Sequence, residues 1–373
     1  MIELCEKEYY NKVLGSWIGR IVGDFVGAPC ELKSVKYIEN KYGSITYYPE
    51  PIDLNYVNDD EMYEIVALIA LEKYGINISS KEIAQEWVNL LEREDFVFTA
   101  EKFALNNLKA GVLPPKSALL NNIYYDFIGA QMRADIWGQI TPGCPHIAKK
   151  YAEIDGSISH ADIGIEGEIY ISVLISQSFF ESDIRKNIKD AFQFIPSKEE
   201  SLYTQMILKA IELYKQNPKD FRKARDILIK KYWRKEILNS LIKEENNFPI
   251  ERRLILSTLV SGVHVLPNIG IIILSLLYGS QDKEDPLGRS VCISAMMGLD
   301  TDCNCGNLGA ILGAQLGVDA IPSKWKDALK NTFSTYVRGY EKWQITDLAQ
   351  RIVKVGKKVI KAKCNKIVKI IES

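Results

Sequence analysis

Asp300 and Asp302 stand one residue apart in GLDTDCNCGNLGAILGAQLG, and Asp59 and Asp60 stand side by side in VNDDEMYEI. Each pair precedes a run with helical spacing, so one acid of each pair could simply cap a helix, where free N–H groups and the positive dipole end favour an anion. A cap needs only one carboxylate, however, and two this close repel each other unless a positive charge lies between them. A hard divalent cation meets that need, and oxygen donors select magnesium, calcium or manganese over zinc. Asp24 and Glu31 flank a glycine in GDFVGAPCE, where Pro29 ends the helical pattern and puts Glu31 in a loop; taken alone, Glu31 reads as a surface residue. His160, in DGSISHADIG, is one of three histidines and offers an acid/base group or a substrate contact. A purely structural loop histidine is its alternative.

These side chains need helices to hold them. MYEIVALIALEKYG sets Ile65, Leu68, Ile69 and Glu72 at three- and four-residue steps, and EESLYTQMILKAIELYKQ repeats the pattern behind a capping box of Ser197 and Glu200. IGIIILSLLYG reads as a buried helix, short of the roughly 20 residues that span a bilayer. Strand alternation is scarce, and Pro49 with Pro51 makes GSITYYPEPIDL an extended loop. The expected fold class is therefore mostly α.

Gly15, Gly19, Gly23 and Gly27 recur every four residues, and Gly306, Gly309, Gly313 and Gly317 form a second stripe. Each helical glycine costs about 1 kcal/mol relative to alanine, so the stripes imply close backbone approach, by a neighbouring helix or by a ligand. KDFRKARDILIKKYWRKE, at 219–236, is basic and amphipathic, which fits a solvated helix face or an anion surface. The tail, ITDLAQRIVKVGKKVIKAKCNKIVKIIES, keeps helical period to its end. The expected organisation is one domain over 1–345, with a Lys-rich helix over 346–373 packed on it.

The 373 residues carry 47 Lys plus Arg against 48 Asp plus Glu, a net charge of −1, so no global field steers the chain to nucleic acid or to an anionic membrane. The N-terminus lacks the basic start and apolar core of a signal peptide. Seven scattered cysteines suit a reducing compartment, so a cytoplasmic protein is expected. Cys303 and Cys305 form a C-x-C without a second pair at zinc-site spacing.

In their order, these motifs resemble one family. GSWIGRIVGDFVGAPCE is similar to the opening signature G-x-x-x-G-x-x-x-G-D-x-x-G-x-P-x-E of the ADP-ribosylglycohydrolases, which include dinitrogenase reductase-activating glycohydrolase and the ADP-ribosyl-acceptor hydrolases. NDDEMYEI resembles the family's Asp-Asp motif, SISH its histidine segment, and GLDTDCNCG its closing G-x-D-x-D, so the likeness runs over residues 10–330. The resemblance implies a compact all-α fold with a central cleft and two magnesium ions, with manganese as an alternative. Matched position by position, the metal ligands would be Asn58, Asp59, Asp60, Asp300, Asp302 and Cys303, the catalytic residue Glu31, and the substrate contacts Asp24, Gly129 and His160. Gly129 and Arg133 fall in GAQMRADIWG, which resembles the glycine-rich loop ending in Met-Arg beside the ADP-ribose cleft; Arg133 there reads as structural.

The implied reaction is hydrolysis of the glycosidic bond at ribose C1 by a metal-bound water, on an ADP-ribosylated protein or a small ADP-ribose derivative. Asn58, Glu61 and Cys303 stand where family members often carry hydroxyl residues. An asparagine still offers a carbonyl oxygen, whereas a thiol is a soft donor that magnesium disfavours. Two alternatives stay open: a hydrolase of this fold acting on a nucleoside-like or other small molecule, and a catalytically silent ADP-ribose-binding or structural protein.

Overall fold

The computed structural model describes residues 1–196, 200–244 and 250–371. Helical periodicity becomes helix, and the elements that position the acids are α1 (Glu6–Gly27), α2 (Asp59–Tyr74), α3 (Ile163–Ser178), α4 (Val265–Gly279), α5 (Pro286–Met297), α6 (Thr301–Leu316) and α7 (Ile345–Val359). The fold is all-α, as expected. Among the described residues strand is confined to two small sheets: Ile2–Cys5 runs parallel to Val368–Ile371, and Thr332–Ser334 pairs antiparallel with Lys342–Gln344.

α4 carries the longest apolar run and is buried along its whole length. No described helix is long and apolar enough to cross a membrane. The stretch around Pro49 and Pro51 is a loop. Ser197 lies outside the described residues; the helix beyond it begins at Leu202, and Ser201 Oγ caps it by accepting from the Tyr203 and Thr204 N–H groups at 3.0 and 3.3 Å.

The two glycine stripes meet each other. A Cβ built on Gly15 would strike the backbone of Gly313 and Gly317, on Gly19 that of Gly309, on Gly23 that of Cys305 and Gly306, and on Gly27 that of Thr301 and Asp302. α1 and α6 therefore pack backbone to backbone. Of the two causes that explain such stripes, a neighbouring helix is the one at work, and the space a ligand would need there is filled by protein.

The C-terminus departs from expectation. α7 lays Leu348, Ile352, Val355 and Val359 into the core, its Gly356 leaves room for the Tyr9 hydroxyl of α1, and Lys357 pairs with Glu6 at 2.5 Å. The helical path then ends at Cys364, and Val368–Ile371 forms a strand beside the N-terminus instead of continuing to 373. The β-branched residues of IVKII satisfy a strand edge better than a fifth helical turn. The 219–236 segment buries Phe221, Leu228, Ile229 and Trp233 and turns its basic residues outward.

Asp126 ties the loop before the helix at Gly129–Met132 to a later helix. Arg252 grips it with two bonds of 3.2 and 2.7 Å, and His264 Nε2 lies 3.4 Å away. Burial alone would raise this carboxyl, but His264 and Arg252 hold it well below the usual carboxylate range.

Three outcomes follow from these contacts. Gly309→Ala gains about 1 kcal/mol of helix propensity yet forces a methyl into the Gly19 carbonyl; urea unfolding should show a net loss of about 1–3 kcal/mol. Gly262→Ala, whose added Cβ meets nothing nearer than 3.5 Å, should change stability by less than about 0.5 kcal/mol. Because its folded pKa is depressed, Asp126 adds stability above its unfolded pKa of about 3.9 and loses it as pH falls below that value. The wild-type urea midpoint should therefore drop more steeply on acidification below about pH 5 than that of Asp126→Asn.

Candidate functional site

The end of the α1–α6 contact fixes the geometry. Gly27 lies against Thr301 and Asp302, and Thr301 Oγ1 donates to the Gly27 carbonyl at 2.8 Å. The turn Ala28–Cys30 then carries the chain to Glu31 at the start of α6. α2 begins beside it, because Cys303 Sγ donates to Asp60 Oδ1 at 3.4 Å.

Asp300 occupies the N-cap of α6 and Asn58 that of α2, yet neither side chain makes a capping bond. One oxygen each of Asp300 and Asp302 is buried without a hydrogen-bond partner, as is the Asn58 amide nitrogen. Simple capping therefore fails as an explanation at both helix ends. A carboxylate oxygen of Asp300, one of Asp302 and the Cys303 sulfur lie within 4.8 Å of one another. Burial pushes the Cys303 thiol well up, and the charges of Asp300, Asp60 and Asp302 add to it, so the sulfur stays protonated and acts as a donor.

Arg20 is the residue that the sequence reading missed. It sits fully buried in the glycine stripe of α1 and reaches Asp60 Oδ2 at 2.8 Å, Asp135 Oδ2 at 2.6 Å, Glu61 Oε1 at 3.2 Å and Glu64 Oε1 at 3.3 Å. The charge that Glu61 adds is thus turned onto Arg20. Asp135 also accepts from Asn307 Nδ2 at 2.9 Å, and burial still pushes its carboxyl to about 6. Asp24 is buried with both oxygens unpartnered, packed where a Cβ on Gly306 would stand, and burial together with Glu61 raises it well above the carboxylate norm. A lone cation within an apolar glycine run was the available signal for Arg20.

Asn268, inside the apolar α4, was also missed. Its Oδ1 accepts from the Asp300 N–H at 3.3 Å and from Asn304 Nδ2 at 2.7 Å, while its Nδ2 donates to the Gly262 carbonyl at 2.7 Å. It pins the start of α6 to α4.

Glu31 lies on a strap. The Leu32 N–H donates to the Leu299 carbonyl at 2.8 Å, and both leucines adopt left-handed backbone, with φ of 53° and 74°. Such conformations are costly for branched side chains and mark functional positions when they cluster. Here they flank Glu31 and Asp300. The Asp302 charge and then burial push the Glu31 carboxyl to about 7, against the opposing pull of Lys33.

On the far side, the Glu101 carboxylate fills the space that a Cβ on Gly129 would need. Arg133 holds Glu101 and Asp155, each at 2.7 Å, and lies over Trp87, so it is framework. His160 Nδ1 lies 2.8 Å from Ser159 Oγ, and its Nε2 is buried without a partner. Burial, with Arg133 nearby, holds the imidazole pKa well below its ordinary value, so His160 is neutral.

Asp24, Asp59, Asp60, Asp300 and Asp302 are all pushed upward, first by burial, with the charges of neighbouring carboxylates adding to it for each. One buried guanidinium cannot neutralise so many acids. Such a cluster either keeps protons or takes up cations, and unpartnered hard oxygens beside a protonated thiol suit a hard divalent ion. Asp59 and Glu31 are its partly exposed members and mark the way in. A cavity of about 1400 Å³ lies between Tyr10 and the lysine face of α7 and shares no residue with this centre.

A solved structure titled "ADP-ribosylglycohydrolase-related protein complex" superposes with a TM-score of 0.53 at 16% identity, over 94% of this chain and 99% of that one, so the two share a fold. No curated protein matches the chain. The model of the family described as ADP-ribosylglycohydrolase matches residues 6–360, a span that takes in Glu31, the Asp59 turn and the Asp300 turn. The chain therefore belongs to the ADP-ribosylglycohydrolase family, a family of glycosidases that act on ADP-ribosylated substrates and generally depend on divalent metal.

Proposed function

We propose that the protein hydrolyses the glycosidic bond at ribose C1 of an ADP-ribosylated substrate, with two divalent cations, magnesium or manganese, held between the starts of α2 and α6. The observation that carries this reading is the set of buried, unpartnered oxygens on Asp300 and Asp302 at a helix end they do not cap. Asp59, Asp60, Asp300 and Asp302 are the oxygen donors, with the Asn58 amide beside them. When bound, the cations supply Lewis acidity toward the ribose hydroxyls and a more acidic water.

The chain's own residues do the rest. Cleavage at C1 builds positive charge on the ribose ring, and the carboxylate-rich floor favours that charge. Arg20 and the Cys303 thiol each hold one oxygen of Asp60, so its orientation is fixed before substrate arrives. Glu31, brought to the site by the Leu32–Leu299 strap, orients the attacking water and takes its proton. Neutral His160 offers its free Nε2 to a substrate hydroxyl. With a protonated thiol at Cys303, one cation has fewer hard donors than the other and binds more weakly.

Asp302→Asn should abolish magnesium-stimulated release of ADP-ribose from modified peptides while the far-UV circular dichroism stays native; full activity in that variant would remove the metal reading. Glu31→Gln should lower kcat on the order of 10²–10⁴-fold and leave ADP-ribose affinity nearly unchanged. A loss of affinity that matches the loss of rate would make Glu31 a binding group instead.

A further inference from the structure

The basic segment at 219–236 has a use that the centre described above leaves unexplained. Its outward face forms one wall of a cavity of about 480 Å³ whose other wall is the Glu31 strap, through Leu32, Lys33 and Lys36, with Leu299 at the seam. Leu32 directly follows Glu31 and Leu299 directly precedes Asp300, and the two are joined by the 2.8 Å backbone bond. The cavity lining therefore includes the chain neighbours of Glu31 and Asp300. Gly129 and His160 do not line it.

Its charge is opposite to that of the centre. Lys33, Lys36, Arg222, Arg225, Lys230 and Arg234 face it, against Glu39 and Asp226. Both acids are already engaged: Glu39 by Arg222 at 3.1 Å, Asp226 by Arg225 at 3.1 Å and by Lys230 at 2.7 Å. Lys33, Lys36 and Arg234 have no carboxylate within ion-pair range among the described residues. Trp233 is buried beneath the rim, and the exposed Leu32 supplies apolar surface. With a net charge of −1 over the chain, this excess is a local feature. Positive charge lining a concave surface concentrates anions there and suppresses cationic partners.

We propose that this cavity is the acceptor-side subsite, and that it selects peptide acceptors carrying an anionic group, a carboxylate or a phosphate, next to the modified residue. The inference rests on the glycosidase reading for its orientation: with ADP-ribose placed toward His160 and Gly129, the leaving group departs past Glu31 into the basic cavity. The rim then holds the acceptor's anion while its apolar part lies against Leu32.

The test starts with binding, which needs no turnover. Fluorescence anisotropy of the full chain with three labelled, unmodified peptides, Glu-flanked, phosphoserine-flanked and Lys-flanked, should show affinity for the first two alone, weakening as salt rises. Tighter binding of the phosphoserine peptide than of the Glu peptide identifies phosphate as the preferred group; the reverse identifies carboxylate. Lys36→Glu with Arg234→Glu should weaken anionic peptides about tenfold, and Lys36→Gln with Arg234→Gln should weaken them less. Equal affinity for all three peptides, or wild-type affinity in the charge-reversed variant with its melting temperature unchanged, overturns the proposal. In kinetics on ADP-ribosylated versions, the charge reversal should raise KM for anionic flanks and spare kcat. No hydrolysis of any ADP-ribosylated peptide would sink the glycosidase reading, and the anisotropy result would still decide the subsite.

Discussion

Backbone contact between α1 and α6 is the constraint from which the site follows. Helix axes usually stay 8–10 Å apart because side chains stand between them; two facing glycine stripes remove those side chains. The gain is positional. With Gly27 set against Asp302 and Gly23 against Gly306, the end of α1 and the start of α6 can shift only together. Asp24, Arg20 and Glu31 are thereby carried to Asp300 and Asp302 by main-chain geometry, which holds a site more firmly than flexible side-chain packing.

Electrostatics then explains why the same region must be functional rather than merely well packed. Buried carboxylates without partners lower stability, and helix capping would have been an inexpensive use for Asp300 and Asn58. The fold leaves those caps unmade and compensates only part of the negative charge, through Arg20 toward Asp60, Glu61, Glu64 and Asp135. Arg20 orients Asp60, while Asp300 and Asp302 keep free oxygens. That division leaves Asp300 and Asp302 less committed to the protein than Asp60.

Much of this was legible in the sequence because the signals were local. Asp pairs ahead of helical periods, glycines at four-residue spacing and Pro29 before Glu31 are readable without knowing what lies opposite. What the glycines faced was not, since a stripe fits a ligand as well as a helix, and only the partner stripe on α6 decides. Arg20 and Asn268 escaped notice because each is one polar residue in an apolar run, and its meaning depends on carboxylates or amides 32 to 115 positions away. Gly129 resembled a ligand-binding glycine, and the structure gives it a structural neighbour in Glu101. The C-terminal strand was hidden for a related reason. Its period carries on from α7, and its pairing partner is the other end of the chain, Ile2–Cys5.

The central claim is that Asp300 and Asp302 leave oxygens free in order to hold a cation that in turn holds ribose. Calorimetric titration of ADP-ribose into metal-stripped protein, with and without magnesium and beside Asp302→Ala, tests it most directly. The account predicts binding heat only when magnesium and Asp302 are both present. Equal binding in the stripped protein, or undiminished magnesium-dependent binding in the Asp302→Ala variant, would contradict it.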